Sequence, residues 1–131
     1  MRFGVVPDPT IRQLTEAQRL LQPAIERAEE SSWCEVLLLL SDDRAQLWLA
    51  VDGDVIRGAC VTKLTTRRAA PCVEVWLMGG VMDTIPFISM IEAAAADAGA
   101  ERVTLTGRVG WGRVLNDYGY RVVAVELEKS L

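Results

Sequence analysis

The stretch Val75–Gly99, "VWLMGGVMDTIPFISMIEAAAADAG", decides the fold. An apolar, β-prone run ends at two glycines, Gly79 and Gly80. A helical pattern then runs from about Asp83 to Ala98. Asp83 or Thr84 can cap it, the alanines Ala93–Ala96 favour helix strongly, and Gly99 can end it. The next apolar run, "RVTLTG" (102–107), reads as another strand. A helix of about sixteen residues between two strands is long enough for a crossover, so the two can lie parallel. In α/β sheets, ligands sit outside the carboxyl ends of strands where neighbours part. "LMGGVMD" lies at such an end, and a strand–Gly–helix junction can cradle a phosphate.

Working outward, "AQLWLAVDGDVIRGACVTKL" (45–64) holds two β-prone runs around Asp52-Gly53-Asp54, a hairpin signal. The polar "TTRRAA" (65–70) connects them to "PCVEVWLM" (71–78), which completes a three-stranded meander. Toward the N-terminus, "PDPTIRQLTEAQRLLQPAIERAEE" (7–30) reads as helix, with Asp8 as cap, Pro9 in the first turn and a break or kink at Pro23. Ser32 and Glu35 have capping-box spacing and predict a second short helix, although the run Leu37–Leu40 fits a strand equally well. Toward the C-terminus, "WGRVLNDYG" reads as a short helix closed at Gly119, and "YRVVAVELEK" as a last strand. The expected fold class is α/β with a mixed, mostly antiparallel sheet. The 131 residues form one domain, 1–131, with a helical N-terminal segment over residues 1–44 and a sheet–helix core over residues 45–131.

Composition excludes several chemistries. The chain has no histidine, which removes the commonest general base and metal ligand together. No Ser-His-Asp or Cys-His site can be built, and no metal site is expected. Cys34, Cys60 and Cys72 show no C-x-x-C spacing and read as small buried apolar residues of a reduced compartment. The net charge of −4 disfavours nucleic-acid binding. No apolar run approaches the ~20 residues of a membrane span, and the N-terminus lacks a signal-peptide core, so a cytoplasmic location is expected. Half of the residues are apolar, enough to expect a covered face and therefore a protein partner or self-association.

The element order, with the C-terminal "GRVGWGRVLNDYGYRVVAVELEK", resembles the GNAT superfamily of acyl-CoA-dependent N-acetyltransferases. The resemblance covers Ala45 to Leu131 well and the N-terminal helices loosely. Gly119-Tyr120 looks like the family's Gly-aromatic pair between the last helix and last strand. The Trp-bearing stretches "LWLAVDG", "VWLMGG" and "GRVGWGRVL" look most like the short GNAT-like proteins of tailed bacteriophages and prophages. The resemblance implies acetyl-CoA in a splay between the third and fourth strands. It implies a pyrophosphate loop of pattern Arg/Gln-x-x-Gly-x-Gly/Ala, a strand carboxylate or water as base, and a tyrosine as acid.

Tested residue by residue, most of that equipment is missing. "LMGGVMDT" offers Gly79 and Gly80 as cofactor-binding candidates, without the preceding cation or the Gly-x-Gly spacing, and Asp83 stands at the mouth. The plainer reading is a tight turn at Gly79-Gly80 and a helix cap at Asp83. Glu74 is the candidate base. The plainer reading is a solvent-facing or salt-bridged strand glutamate, since Val73, Val75 and Leu77 mark the opposite face. The family tyrosine position falls on Leu115, which cannot donate a proton. Tyr118 is the remaining catalytic candidate, and Tyr118 and Tyr120 fit core packing equally well. Trp111 replaces a small cofactor-facing residue. The expectation is a GNAT-like shell that has lost acetyl transfer, has no cofactor, and acts as a binding or assembly module, a candidate virion component. The alternative is an acetyl-CoA-dependent N-acetyltransferase with an unconventional site, using Glu74 or water as base and Tyr118 or solvent as acid.

Overall fold

A computed structural model of the chain describes residues 1–28, 31–106, 110–125 and 127–131. Its sheet runs β1 (Arg2–Val6), β2 (Ala45–Asp52), β3 (Val55–Arg67), β4 (Ala70–Gly80), β5 (Arg102–Leu105), in that spatial order. Helices α1 (Ile11–Arg27) and α2 (Trp33–Ser41) precede β2, α3 (Thr84–Asp97) joins β4 to β5, and α4 (Gly110–Leu115) follows β5. Neighbours from β1 to β4 are antiparallel, and β4 and β5 are parallel. The expected meander and parallel crossover pair are both present, in a mixed α/β fold.

The sheet separates two apolar layers. On one face, Leu47, Leu49, Ala59, Val61 and Leu77 pack with Leu21, Ile25 and Val36 of α1 and α2. On the other, Trp48, Cys60, Val73 and Val75 pack with Phe87, Ile88 and Ile91 of α3. Alternate residues of β2 and β3 divide between the layers, as the period of a strand requires. Thr62, the one buried polar residue among those described, is satisfied: Trp48 Nε1 donates to its Oγ1 at 3.0 Å, and the hydroxyl donates to Gln46 Oε1 at 3.3 Å.

Several expectations are corrected. Arg2–Val6 is a strand, so the first 44 residues are not wholly helical. The α1 cap is Thr10 rather than Asp8: Thr10 Oγ1 accepts from Gln13 N–H while the Gln13 side chain accepts from Thr10 N–H. Pro23 lies inside α1, which continues to Arg27. The predicted second short helix does form and includes Leu37–Leu40, behind a Ser32 cap that accepts from Glu35 N–H. Cys60 and Cys72 are buried as expected, but Cys34 is exposed.

The "TTRRAA" connection is a two-residue hairpin, with Arg68 and Ala69 at φ 52° and 62°. Such a turn usually takes Asn-Gly, so its sequence hides it. Among the described residues the last expected strand is not formed: 121–125 and 127–131 have no ladder partner there, and Glu126 lies outside the described residues. Gly107, within the fourth expected strand, lies outside the described residues, and β5 ends at Leu105.

Candidate functional site

β4 changes character at Trp76. Below it, Thr62 pairs with Val75; above it, Val61 pairs with Leu77, leaving Trp76 as an extra residue. This is a β-bulge, and it bends its strand and re-aims the following side chains. The packing shows the result: Val75 faces the α3 layer, whereas Trp76 and Leu77 both contact the α1/α2 layer. At the same level β5 stops. Its pairs with β4 run from Cys72↔Arg102 to Val75↔Leu105, and Trp76–Gly80 extends with no partner on that side among the described residues. Among the described residues the parallel ladder therefore has a gap at its carboxyl end, beyond which β4 runs on to α3.

Glu74 lies at the root of this gap, on the α1/α2 face, paired with Thr104 of β5. Lys63, opposite it on β3, brings its Nζ to 3.4 Å from Glu74 Oε2 and 4.2 Å from the Trp76 ring centroid. Trp76 Nε1 donates to Ser31 Oγ at 3.2 Å. One ammonium thus serves a carboxylate and an aromatic face, and the indole ties the α1–α2 connection to the bulge. The salt-bridged reading of Glu74 is the one realised. Lys63 and Ser31 were missed from sequence. Lys63 was within reach: counting outward from a two-residue turn at Arg68-Ala69 places it opposite Glu74. A depression of about 190 Å³ adjoins this cluster, lined by Glu35, Leu39, Arg44, Lys63, Leu64 and Thr65.

Gly79 and Gly80 are not a turn. They end β4 and pair with Ala59 and Gly58 of β3. A Cβ on Gly79 would strike the Leu20 carbonyl of α1, and one on Gly80, at φ +81°, would strike the Arg57 carbonyl of β3. Both are glycine because backbone lies against them. Val81 N–H donates to Arg57 C=O at 2.8 Å, which commits the first donor past the glycines. Pro86, in the first turn of α3, has no N–H to give. Asp83 holds the N-cap position, but its side chain makes no capping bond, so its carboxylate stands open at the helix entrance. A diphosphate needs free N–H groups and a positive or neutral mouth. At this junction Val81 N–H is committed, Pro86 has no N–H, and Asp83 puts a negative charge at the mouth.

The tyrosines do not rebuild the acid. Tyr118 is 55% exposed on a 3-10 turn, Asn116–Tyr118, and makes no hydrogen bond to Glu74 among the described residues. Tyr120 packs against the α3 layer and its hydroxyl donates to Glu92 Oε2 at 2.9 Å. Desolvation, then the hydrogen bond to Glu92, then its negative charge, hold the Tyr120 phenol well above the ordinary tyrosine range. A group whose folded pKa is raised stabilises the fold below its unfolded pKa and loses that contribution as pH climbs. Stability should therefore fall progressively above about pH 10, the unfolded tyrosine value. Tyr120→Phe should flatten that alkaline limb in urea melts from pH 8 to 11. An unchanged limb would show that Tyr120 is neither desolvated nor bonded to Glu92 in solution.

The expected acid candidate is thus solvent-facing, the base candidate is ion-paired, and the glycines serve packing. No group of three metal-ligating side chains occurs among the described residues. No helix there is long and apolar enough to cross a membrane.

No family model matches the sequence, and no curated protein does. Solved structures do match, over essentially the whole chain. The BH1408 protein of Bacillus halodurans, solved as a tetramutant, superposes with a TM-score of 0.74 at 13% identity, covering 100% of both chains. A predicted acetyltransferase from Clostridium acetobutylicum, solved with acetyl-CoA, gives 0.72 at 8% identity, over 98% of this chain and 95% of that one. An aminoglycoside acetyltransferase from an uncultured soil metagenomic sample, in complex with sisomicin, gives 0.70 at 12% identity, over 99% and 95%. With three antiparallel neighbour pairs, one parallel pair whose ladder ends at a bulge, and likeness along its full length, this chain has the GNAT fold.

Proposed function

We propose that this protein is a GNAT-fold binding or assembly module whose acyl-CoA apparatus has been dismantled while the shell is kept. The observation that carries the reading is the strand-to-helix junction. There the glycines pack against Leu20 and Arg57 carbonyls, Val81 N–H is committed, and Asp83 is open at the helix entrance. A cofactor whose affinity comes largely from diphosphate contacts meets there a committed N–H, a proline and a carboxylate. The partners proposed are proteins, including a second copy of the chain. The tailed-phage origin, and a place in host cytoplasm or virion, rest only on the likeness of the Trp-bearing stretches to phage GNAT-like proteins.

Calorimetry with acetyl-CoA tests the module reading. Titration to millimolar ligand should give no saturable heat. Thermal melts should not move either, whereas a ligand at a hundredfold excess over its Kd would add about 2.7 kcal/mol of stability. Saturable binding overturns the module reading.

One observation favours the second reading, an acetyl-CoA-dependent N-acetyltransferase. The β4/β5 gap is open at its carboxyl end, and Glu74 stands at its root beside a depression bearing Glu35 and Arg44. On that reading Glu74 faces an incoming amine. Glu74→Gln would then abolish turnover and leave acetyl-CoA binding intact.

A further inference from the structure

The depression between α2 and β3 holds charges that the fold itself does not use. Its lining is Glu35, Leu39, Arg44, Lys63, Leu64 and Thr65. Among the described residues the Arg44 guanidinium has no ion pair and no hydrogen bond, and neither has the Glu35 carboxylate. Glu35 stands where it could complete a capping box with Ser32, as Gln13 does with Thr10 in α1. Its N–H does donate to Ser32 Oγ, but the return bond from Ser32 N–H to the carboxylate is not made among the described residues. The carboxylate is left to the depression.

The walls are held together by backbone. α2 ends at Ser41, and Asp43 takes the left-handed region at φ 56° to turn the chain toward β2. Arg44 N–H then donates to Leu39 C=O at 3.0 Å, and Arg44 C=O accepts from Leu64 N–H at 3.1 Å. One residue thus ties the helix wall to the strand wall and leaves its guanidinium uncommitted. Lys63 is engaged already, by Glu74 and by the Trp76 ring.

The charges decide the ligand. With Lys63 countered by Glu74, one cation and one anion remain, and both line the same space. A simple anion would gain Arg44 and face Glu35. A simple cation would gain Glu35 and face Arg44. A molecule with both a carboxylate and an ammonium satisfies the two together, and a guanidinium can take the carboxylate through two parallel bonds. Leu39 adds an apolar wall and Thr65 a hydroxyl. The volume, about 190 Å³, falls below the ~300–1,000 Å³ of pockets for drug-sized ligands. It suits a free amino acid rather than a nucleotide. Among the described residues no part of β4 or β5 lines it, so it is distinct from the β4/β5 gap.

We propose that this depression binds a free α-amino acid, with Arg44 taking its carboxylate and Glu35 its ammonium. The inference goes beyond the module reading and needs neither acetyl-CoA nor acetyl transfer.

The test is calorimetry on the full chain with L-leucine, in the absence of acetyl-CoA. Binding should saturate with a Kd of about 1 mM or tighter. Leucinamide lacks the carboxylate, and N-acetyl-L-leucine lacks the ammonium. Each should bind at least about tenfold more weakly, because each loses a charge-assisted bond. The variants should cross with the ligands. In Arg44→Ala, L-leucine should bind no better than leucinamide. In Glu35→Gln, it should bind no better than N-acetyl-L-leucine. A merely structural role would weaken all three ligands and keep their ratios. Neither side chain belongs to a core layer, so thermal melts of both variants should match the parent. The absence of saturable heat from L-leucine at about 10 mM overturns the proposal. So does either analogue binding as tightly as L-leucine, which would mark a site for a simple ion. Undiminished discrimination between the ligands in either variant overturns it too.

Discussion

Gly79→Ala should destabilise the protein by about 3 kcal/mol or more, at or beyond the upper end of small-to-large changes at packed sites. The added methyl would meet the Leu20 carbonyl, and neither wall can swing aside. Leu20 lies in mid-α1, and Gly79 is held in the ladder opposite Ala59 of β3. Relief requires α1 to lift from the sheet, which would open the layer holding Leu21, Ile25, Leu47 and Val61. At roughly 3–5 °C per kcal/mol for a domain of this size, the melting temperature should fall by at least about 10 °C. Gly4→Ala is the control. Gly4 sits in β1 with nothing within 4 Å of the added carbon, so this change should be neutral or gain a few tenths of a kcal/mol. Equal effects at the two sites would sink the packing account of Gly79.

That expectation changes what the glycines can report. Read as cofactor-binding candidates, Gly79 and Gly80 invite valine substitutions as probes of phosphate binding. In the structure they test whether α1 docks. A loss of ligand heat in either variant would say nothing about a cofactor unless the fold were intact. The functional question is better put to Glu74 and Asp83. Asp83 is exposed at the gap's mouth and Glu74 is ion-paired to Lys63 at its root, and neither belongs to a core layer.

What was legible in the sequence follows from which forces are local. Asp52-Gly53 announced its hairpin, because Gly53 takes the positive φ the turn needs. The alanine-rich helix and the strand after it announced the crossover. Ser32 capped α2 as its spacing implied. The misses are tertiary. The Trp76 bulge exists only relative to β3, and it defeats the period-two rule: Leu77 shares a face with Trp76, not with Val75. The hairpin at Arg68-Ala69 uses residues that pay an αL penalty, so no turn motif marks it. Arg2–Val6 became a strand by pairing with residues from Leu47 to Val51, more than forty positions away. The tail from Arg121 has the alternation of a strand but no partner within the described chain, and alternation alone does not supply one.

The candidate site divides in the same way. Its scaffold was readable, since the strand–helix–strand order requires a parallel pair and a carboxyl end. Its chemistry was not. Whether Glu74 is free depends on Lys63 reaching it across the ladder, and whether Gly79 is available depends on Leu20, fifty-nine residues away. The presence of an acidic strand residue or a glycine pair at the right position cannot distinguish a site from a shell.

Phe87→Ala should cost about 3–5 kcal/mol, the range for deleting a fully buried aromatic ring. Phe87 is wholly inaccessible, with Phe3 at 5.6 Å and Trp48 at 5.9 Å between ring centroids, the latter edge-on. The ring joins β1, β2 and α3, which are remote in sequence, so no single element can close the void. Its position also matters for the gap. α3 begins without a side-chain cap and without acidic residues in its first turn, so packing must hold its N-terminus. Phe87 is the first buried residue of the helix, and its N–H closes the first turn on Asp83 C=O. Truncation should therefore loosen the head of the β4/β5 gap before the sheet opens. Near-ultraviolet circular dichroism should lose intensity from Trp48, and hydrogen exchange at Phe87 and Ile88 should quicken more than at Val61. Against a total stability of about 5–15 kcal/mol, the loss takes roughly a fifth or more of what holds a typical domain. Phe87→Leu, which keeps most of the volume, should lose clearly less. A urea midpoint shift equivalent to under about 1 kcal/mol for Phe87→Ala would mean that α3 is not anchored through this ring.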